Sequence, residues 1–261
     1  MTTPEPALLY RRDGHIASIT FNRPSVLNAI NAEMAQLFLE GCRSISRDSK
    51  VRAVVLRGAG RSFVAGGDLK AFTQDPASVA ATLIDPMHEG LICLSGIAAP
   101  VIGCLHGAVA GAGFSLALAC DLAIAAEGTR FNLAYLNVGT SCDVGASWTL
   151  PRIVGLRKAM EIALLNPMLD ATEALQLGMV NWVVPVGELQ GKTDELAARI
   201  ANGPPIAIGH FKRLLRQSFS HDLRKQLSAE REAFNACAGT ADFGEALNAF
   251  FEKRTASFEG R

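Results

Sequence analysis

Ser62-Phe-Val-Ala-Gly-Gly-Asp-Leu-Lys70 and Gly107-Ala-Val-Ala-Gly-Ala-Gly-Phe114 are the stretches on which the reading of this chain turns. Each follows a run of β-forming residues, Val51-Arg-Ala-Val-Val-Leu56 before the first and Pro100-Val-Ile-Gly-Cys-Leu105 before the second. Each leads toward a helical pattern. A strand, a turn of small residues and a helix start leave backbone N–H groups unpaired and facing outward. Small residues let a ligand reach that backbone. Two such donors brought together would hold a developing oxyanion. On glycine content alone, either stretch is also readable as a plain strand-to-helix turn.

Around these loops the chain alternates between β and α patterns. His15–Phe21 alternates like a strand, and Val51–Leu56, Pro100–Leu105, Leu122–Ala126 and Val180–Val184 are further strand candidates. Asn31–Ser46 has helical spacing, with Asn31 as its N-cap. Pro76–Ile97 has the length of a single helix and Ala112–Cys120 of a shorter one. From Glu188 onward the pattern is helical throughout: Glu188–Ala201, Pro205–Ser218, Asp222–Ala238 and Ala241–Phe251. This shift from mixed to all-helical predicts a core over residues 1–195 and a helical segment over 196–261.

The 261 residues suffice for one large core, and with 49% hydrophobic and 19% charged residues the chain is globular. Acidic and basic residues balance at 25 each, which points away from nucleic acid or an anionic membrane as partner. The first six residues carry no charged-then-apolar signal pattern, and no apolar run reaches the length of a membrane span. The six cysteines form no CxxC pair and read as free thiols in a reducing cytoplasm. No HExxH, EF-hand loop or strand-bound GxGxxG calls for a metal or a dinucleotide.

The two loops, together with Phe21-Asn-Arg-Pro-Ser-Val-Leu-Asn-Ala29, Cys120-Asp-Leu-Ala-Ile-Ala125 and Ala249-Phe-Phe-Glu-Lys-Arg254, resemble the crotonase (enoyl-CoA hydratase/isomerase) superfamily over almost the whole chain. The resemblance implies an α/β fold, a spiral of ββα repeats closed by a C-terminal helical trimerisation segment. It also implies an acyl-CoA thioester as substrate, a homotrimer or dimer of trimers, and no cofactor beyond the coenzyme A of the substrate.

By the same resemblance, the N–H groups of Gly67 and Ala112 form the oxyanion hole. The two glutamates of typical hydratases fall on Ser115 and Tyr135, neither of which is a carboxylate base. Asp143 matches the catalytic aspartate of two branches, the phenylacetyl-CoA-pathway isomerases and the 4-chlorobenzoyl-CoA dehalogenases. His88 matches the dehalogenase's water-activating histidine, and Tyr135 stands where that enzyme has a nucleophile-orienting tryptophan. Arg23, Val26, Val64, Ala65, Gly66 and Lys70 match positions lining the nucleotide and pyrophosphate, and Phe234 and Lys253 those that a neighbouring subunit lays on adenine and the 3′-phosphate.

The residues themselves leave alternatives open. Asp143 also reads as an N-cap for the helix that follows, and His88 as a half-exposed helix residue beside Glu89. Phe234 and Lys253 also read as an ordinary core aromatic and a surface cation. Asp68 reads as the cap of the helix after the first loop, Asp121 as a structural partner of buried backbone and His106 as a packed turn residue. Three reactions therefore remain. Asp143 shuttles a proton in a double-bond isomerase, or attacks an aryl carbon in a 4-halobenzoyl-CoA dehalogenase with His88 as base, or the protein hydrates an enoyl-CoA. A non-catalytic scaffold that has kept the fold is the further alternative.

Overall fold

The computed structural model describes residues 5–74 and 76–261. Residues 1–4, read above for a signal pattern, lie outside the described residues. Two sheets organise the chain. The larger has the order β1 (Leu8–Asp13), β2 (Ile16–Phe21), β3 (Ala53–Gly58), β4 (Val101–Leu105), β6 (Leu122–Ala126), β9 (Trp182–Val184). β1 and β2 form an antiparallel hairpin; every later neighbour in that sheet is parallel. The smaller sheet joins β5 (Ala108–Ala110), β7 (Arg130–Asn132) and β8 (Leu169–Asp170).

Parallel strands need both faces covered, so their sequences read as unbroken apolar runs. Alternate residues of the central strands divide accordingly. Val54, Leu56, Val101, Leu105, Ala123 and Ala125 enter the main core with α1 (Ala32–Arg47). Ala53, Val55, Ile102, Cys104, Ile124 and Ala126 face the other way and meet Leu189, Ala197 and Ala201. Those three residues belong to a helix over Leu189–Ala201. A boundary at 195/196 therefore cuts a helix that covers the sheet.

The other helices bear out the sequence pattern with one exception. Asn31 caps α1, its side chain accepting from the Met34 N–H at 3.0 Å. The run 76–97 opens with a turn over residues 76–78 and is then helical without interruption, a π-helical stretch over Ala80–Ile84 leading directly into α3 (Asp85–Gly96); α2 spans Leu69–Gln74. Pro86 lies in the first turn of α3, where it supplies no N–H to the preceding turn, and a π-type turn absorbs the mismatch. α4 (Ala112–Ala119) follows the second glycine loop, and α5 (Ala146–Val154), α6 (Leu156–Leu165) and α7 (Ala171–Gln176) follow it along the chain. α8 is the sheet-covering helix described above, followed by α9 (Pro205–Gln217), α10 (Leu223–Ala238) and α11 (Ala241–Glu252).

α9 is tied to the core through charge. Asp121 accepts the Val101 N–H at 2.8 Å and pairs with Lys212 at 2.8 Å and Arg216 at 2.7 Å. This bears out a structural role for Asp121. The Lys212 ammonium is buried, and burial holds its pKa below the usual lysine value; Asp121 works against that shift. Beyond α11 the chain returns to the core, with Asp242 accepting the N–H groups of Glu259 and Gly260 and Arg52 donating to the Phe258 carbonyl. All six cysteines are free, and among the described residues no helix is long and apolar enough to cross a membrane.

Candidate active site

The two glycine loops meet. Gly113 is possible only without a side chain, since a Cβ there would lie 2.0 Å from the Val64 carbonyl oxygen. That contact seats the start of α4 against the first loop. Gly111, at φ +52, would bring a Cβ within 3.3 Å of the Gly66 Cα. Ala110 donates its N–H to the Val64 carbonyl at 3.0 Å, closing the pairing. Among the described residues, neither the Gly67 nor the Ala112 N–H has a hydrogen-bond partner. Both residues line one cavity of about 610 Å³. Two unspent backbone donors on one cavity are the elements of an oxyanion hole.

A third segment holds the first loop in place. Asn28 is fully buried, and its amide donates to the carbonyls of Ala59, Ser62 and Phe63 at 2.8–2.9 Å while accepting the Arg23 N–H at 2.8 Å. Ile30 pairs with the loop on both sides, giving its N–H to Gly66 and receiving that of Asp68. Asn28 lies in the Phe21–Ala29 stretch that carries the resemblance and carries no catalytic signature; its φ is +58, a left-handed value that asparagine tolerates better than most residues.

Asp143 lines the same cavity and is the one charged side chain among the described lining residues. It does not cap α5. The N-cap position belongs to Gly145, with no side-chain cap bond. Val144 and Gly145 both take left-handed conformations, φ +48 and +77, and these turn the Asp143 carboxylate away from the helix start. Such a conformation for a β-branched residue costs on the order of 1–3 kcal/mol and collects at functional sites.

The carboxylate instead meets Tyr135, whose hydroxyl donates to Asp143 Oδ1 in a short hydrogen bond. Tyr135 has one hydroxyl proton, so the 2.9 Å contact between Ser115 and Tyr135 is donated by Ser115. Ser115 sits on α4 and is fully buried. A chain thus runs from the helix that presents Ala112, through Ser115 and Tyr135, to Asp143. Asp143 Oδ2 has no protein partner among the described residues. Burial raises the Asp143 pKa above the ordinary carboxylate value, while the Tyr135 hydrogen bond opposes the rise. Burial likewise pushes the Tyr135 phenol far above its usual value, with the Asp143 charge acting in the same direction, so Tyr135 remains a donor. The turn that presents Tyr135 is also left-handed, with Ala134 at φ +63, and the Asn166 side chain accepts the Ala134 N–H at 2.8 Å.

His88 lies on α3 behind this site. Its Nε2 accepts the Val144 N–H at 3.0 Å, and it is not among the residues lining the cavity. The wall from α2 to α3 is apolar, formed by Leu69, Phe72, Val79, Leu83, Ile84 and Met87, while Asn137, Thr140 and Ser141 add polar side chains to the lining beside Val138.

The positions expected to hold the nucleotide are spread around the first loop and the C-terminal helices. Ala65 and Gly66 line the cavity, whereas Val64 is buried with its carbonyl taken by Ala110. Arg23 pairs with Asp68 at 3.0 Å, and Asp68 also accepts the Lys70 N–H at the start of α2, as a cap does. Val26 and Lys70 are exposed beside them. Phe234 on α10 is exposed and packs edge-on against Phe243, and Lys253 is exposed just past α11. Phe234 and Lys253 are thus not brought to the cavity within one chain. His106 bonds the Gly60 carbonyl at 2.9 Å and stays at its turn.

Comparison with known proteins agrees with this architecture. The family model described as enoyl-CoA hydratase/isomerase matches residues 11–261. The chain is 35% identical to the 1,2-epoxyphenylacetyl-CoA isomerase of Escherichia coli over 250 residues, 94% of this chain and 95% of that one. It is 32% identical to a short-chain-enoyl-CoA hydratase of Clostridium acetobutylicum over 254 residues, 95% of each. An enoyl-CoA hydratase structure from Bacillus anthracis superposes with a TM-score of 0.93 at 30% identity, covering 98% of this chain and all of that one. With the loops, the sheet order and these matches in agreement, the chain belongs to the crotonase superfamily, in the enoyl-CoA hydratase/isomerase family.

Proposed function

We propose that the protein is an acyl-CoA isomerase that moves a double bond along an enoyl-CoA. One observation carries the reading: among the described residues a single carboxylate, Asp143, shares a cavity with the unpaired N–H groups of Gly67 and Ala112. The thioester carbonyl of a 3-enoyl-CoA accepts both N–H groups. Asp143 Oδ2 removes a proton from C2, and the electron pair delocalises into a dienolate whose oxygen the two donors stabilise. The same carboxyl group returns the proton to C4, giving the 2-enoyl-CoA. No bond to water forms, and the net change is one proton moved.

Hydration asks for acid–base groups on both sides of a water, and Ser115 and Tyr135 are already committed to each other and to Asp143. Dehalogenation asks for a histidine free to activate water, and His88 Nε2 is occupied by the Val144 N–H. The apolar wall favours an uncharged acyl group, with no cation among its described residues to hold a distal carboxylate. The relative named an isomerase of an epoxyphenylacetyl-CoA adds support for isomer chemistry on a CoA ester.

Exposed Phe234, Phe250 and Phe251, at 63%, 77% and 78%, favour a homotrimer or a dimer of trimers in which the C-terminal helices dock on a neighbour. Six free thiols favour the cytoplasm. The test of the reaction is incubation with 3-enoyl-, 2-enoyl- and 4-halobenzoyl-CoA, with products followed by mass and ultraviolet absorbance. Isomerisation appears as a new conjugated enoyl absorbance at unchanged mass. A product heavier by one water, or halide release, would replace this reading with hydration or dehalogenation.

A further inference from the structure

We propose that His88 is a positioning residue, whose Nε2 holds the Val144 N–H and with it the left-handed turn that aims Asp143 into the cavity. The proposal rests on the isomerase reading for its kinetic arm only. Val144 is buried, 1% exposed, and is a β-branched residue at φ +48. Nothing in its own conformational preference keeps it there. Its N–H points away from α5 and finds one partner, His88 Nε2 at 3.0 Å, from an element 56 residues earlier. Without that acceptor a buried donor would stand unpaired in the turn that carries the carboxylate.

The geometry also fixes the chemistry of the ring. A backbone N–H is always the donor, so Nε2 carries a lone pair and the neutral ring bears its proton on Nδ1. The Nε2 lone pair is spent on Val144 and is not presented to a substrate or water in the cavity. α3 reinforces the turn beside it. Met87 lines the cavity one residue before His88, and Leu91 packs so close to Gly145 that a Cβ there would lie 3.2 Å from its Cδ2. His88 and Leu91 of α3 thus hold Val144 and Gly145, the two residues that follow Asp143. Small displacements of a catalytic group cost rate steeply, which is why a residue outside the cavity can govern turnover.

Two variants and one spectroscopic measurement test the assignment. His88→Gln retains an acceptor oxygen near the place of Nε2, and His88→Leu keeps the bulk without an acceptor. With a 3-enoyl-CoA substrate, His88→Leu is expected to lower kcat by roughly 10–100-fold with KM within about twofold, while His88→Gln stays within about threefold of wild type. Equal loss in both variants would overturn the proposal in favour of a base, and unchanged kcat in His88→Leu would overturn it in favour of simple packing. Independently of any turnover, ¹⁵N NMR of histidine-labelled wild-type protein at neutral pH is expected to show His88 protonated on Nδ1 and unprotonated on Nε2. The opposite tautomer would overturn the proposal even if His88→Leu fails to fold. Failure of the isomerase reading shows instead as wild-type protein inert toward 3-enoyl-CoA, with the tautomer unaffected.

Discussion

Tyr135 gives its hydroxyl proton to Oδ1 of Asp143, so the carboxylate is held by a phenol and not by the helix that starts three residues after it. One oxygen is thereby fixed, and the other has no protein partner among the described residues. Tyr135→Phe removes a hydrogen bond that favours the ionised form of Asp143. Asp143 then ionises at still higher pH. The acid limb of the kcat profile should move to higher pH than in wild type. An unmoved limb would mean that Tyr135 does not act on the titrating group.

Burial of the Asp143 carboxylate also bears on stability. Its folded pKa is raised, so the folded state binds the proton more tightly than the unfolded chain does. Stability attributable to this group is therefore highest below the unfolded-state pKa and falls as pH rises through the folded value. At neutral pH the ionised side chain is a burden on the fold, and Asp143→Asn should raise Tm there. The gain should vanish at pH values below the ordinary carboxylate range. Calorimetry at the two pH values checks the sign, and a lower Tm at neutral pH would contradict it.

The proposed oxyanion donors predict a separable loss. Gly67→Pro deletes one N–H that has no hydrogen-bond partner among the described residues and adds the same Cβ as Gly67→Ala, so its turnover should fall on the order of 10²–10³-fold below that of Gly67→Ala. Gly67→Ala keeps the N–H, but its Cβ would press on the Phe72 ring at 2.9 Å. It should disturb the acyl pocket and raise KM more than it lowers kcat. Steady-state kinetics on both variants, with circular dichroism as the control for folding, distinguish the donor from the space.

Asp121→Ala leaves the buried Lys212 ammonium and the Val101 N–H without their carboxylate. Stranding a buried charge costs about 3 kcal/mol. Urea unfolding should register a loss of that order, and α9 should exchange its amide hydrogens faster than α1. A loss below about 1 kcal/mol would show that the pair with Lys212 is too solvated to matter.

The features legible in sequence were those carried by local chemistry. The glycine loops, the Asn31 cap and the four C-terminal helices each announce themselves within a few residues, and all lie where their patterns place them. β5, β7 and β8 span three residues or fewer, too short for any periodicity to show. Nothing in the pattern of 76–97 marks the π-helical stretch before Pro86, because a proline there is compatible with a regular helix on either side of it. At Asp143, a cap and a base share the same residue type. Only the left-handed Val144 and Gly145 separate them, and a valine gives no sequence sign of that conformation. The partners Tyr135 and His88 lie eight and 56 residues from the atoms they hold, a distance that no local pattern spans.

The central claim is that Asp143 carries the proton. Asp143→Asn keeps the shape of the side chain and an acceptor for Tyr135 and removes only the base. Its rate of 3-enoyl-CoA to 2-enoyl-CoA conversion, measured beside its affinity for the same ester, is the most direct test. The rate should fall by roughly 10²–10⁴-fold while binding stays near wild type. Conversion at the wild-type rate would show that Asp143 is not the base.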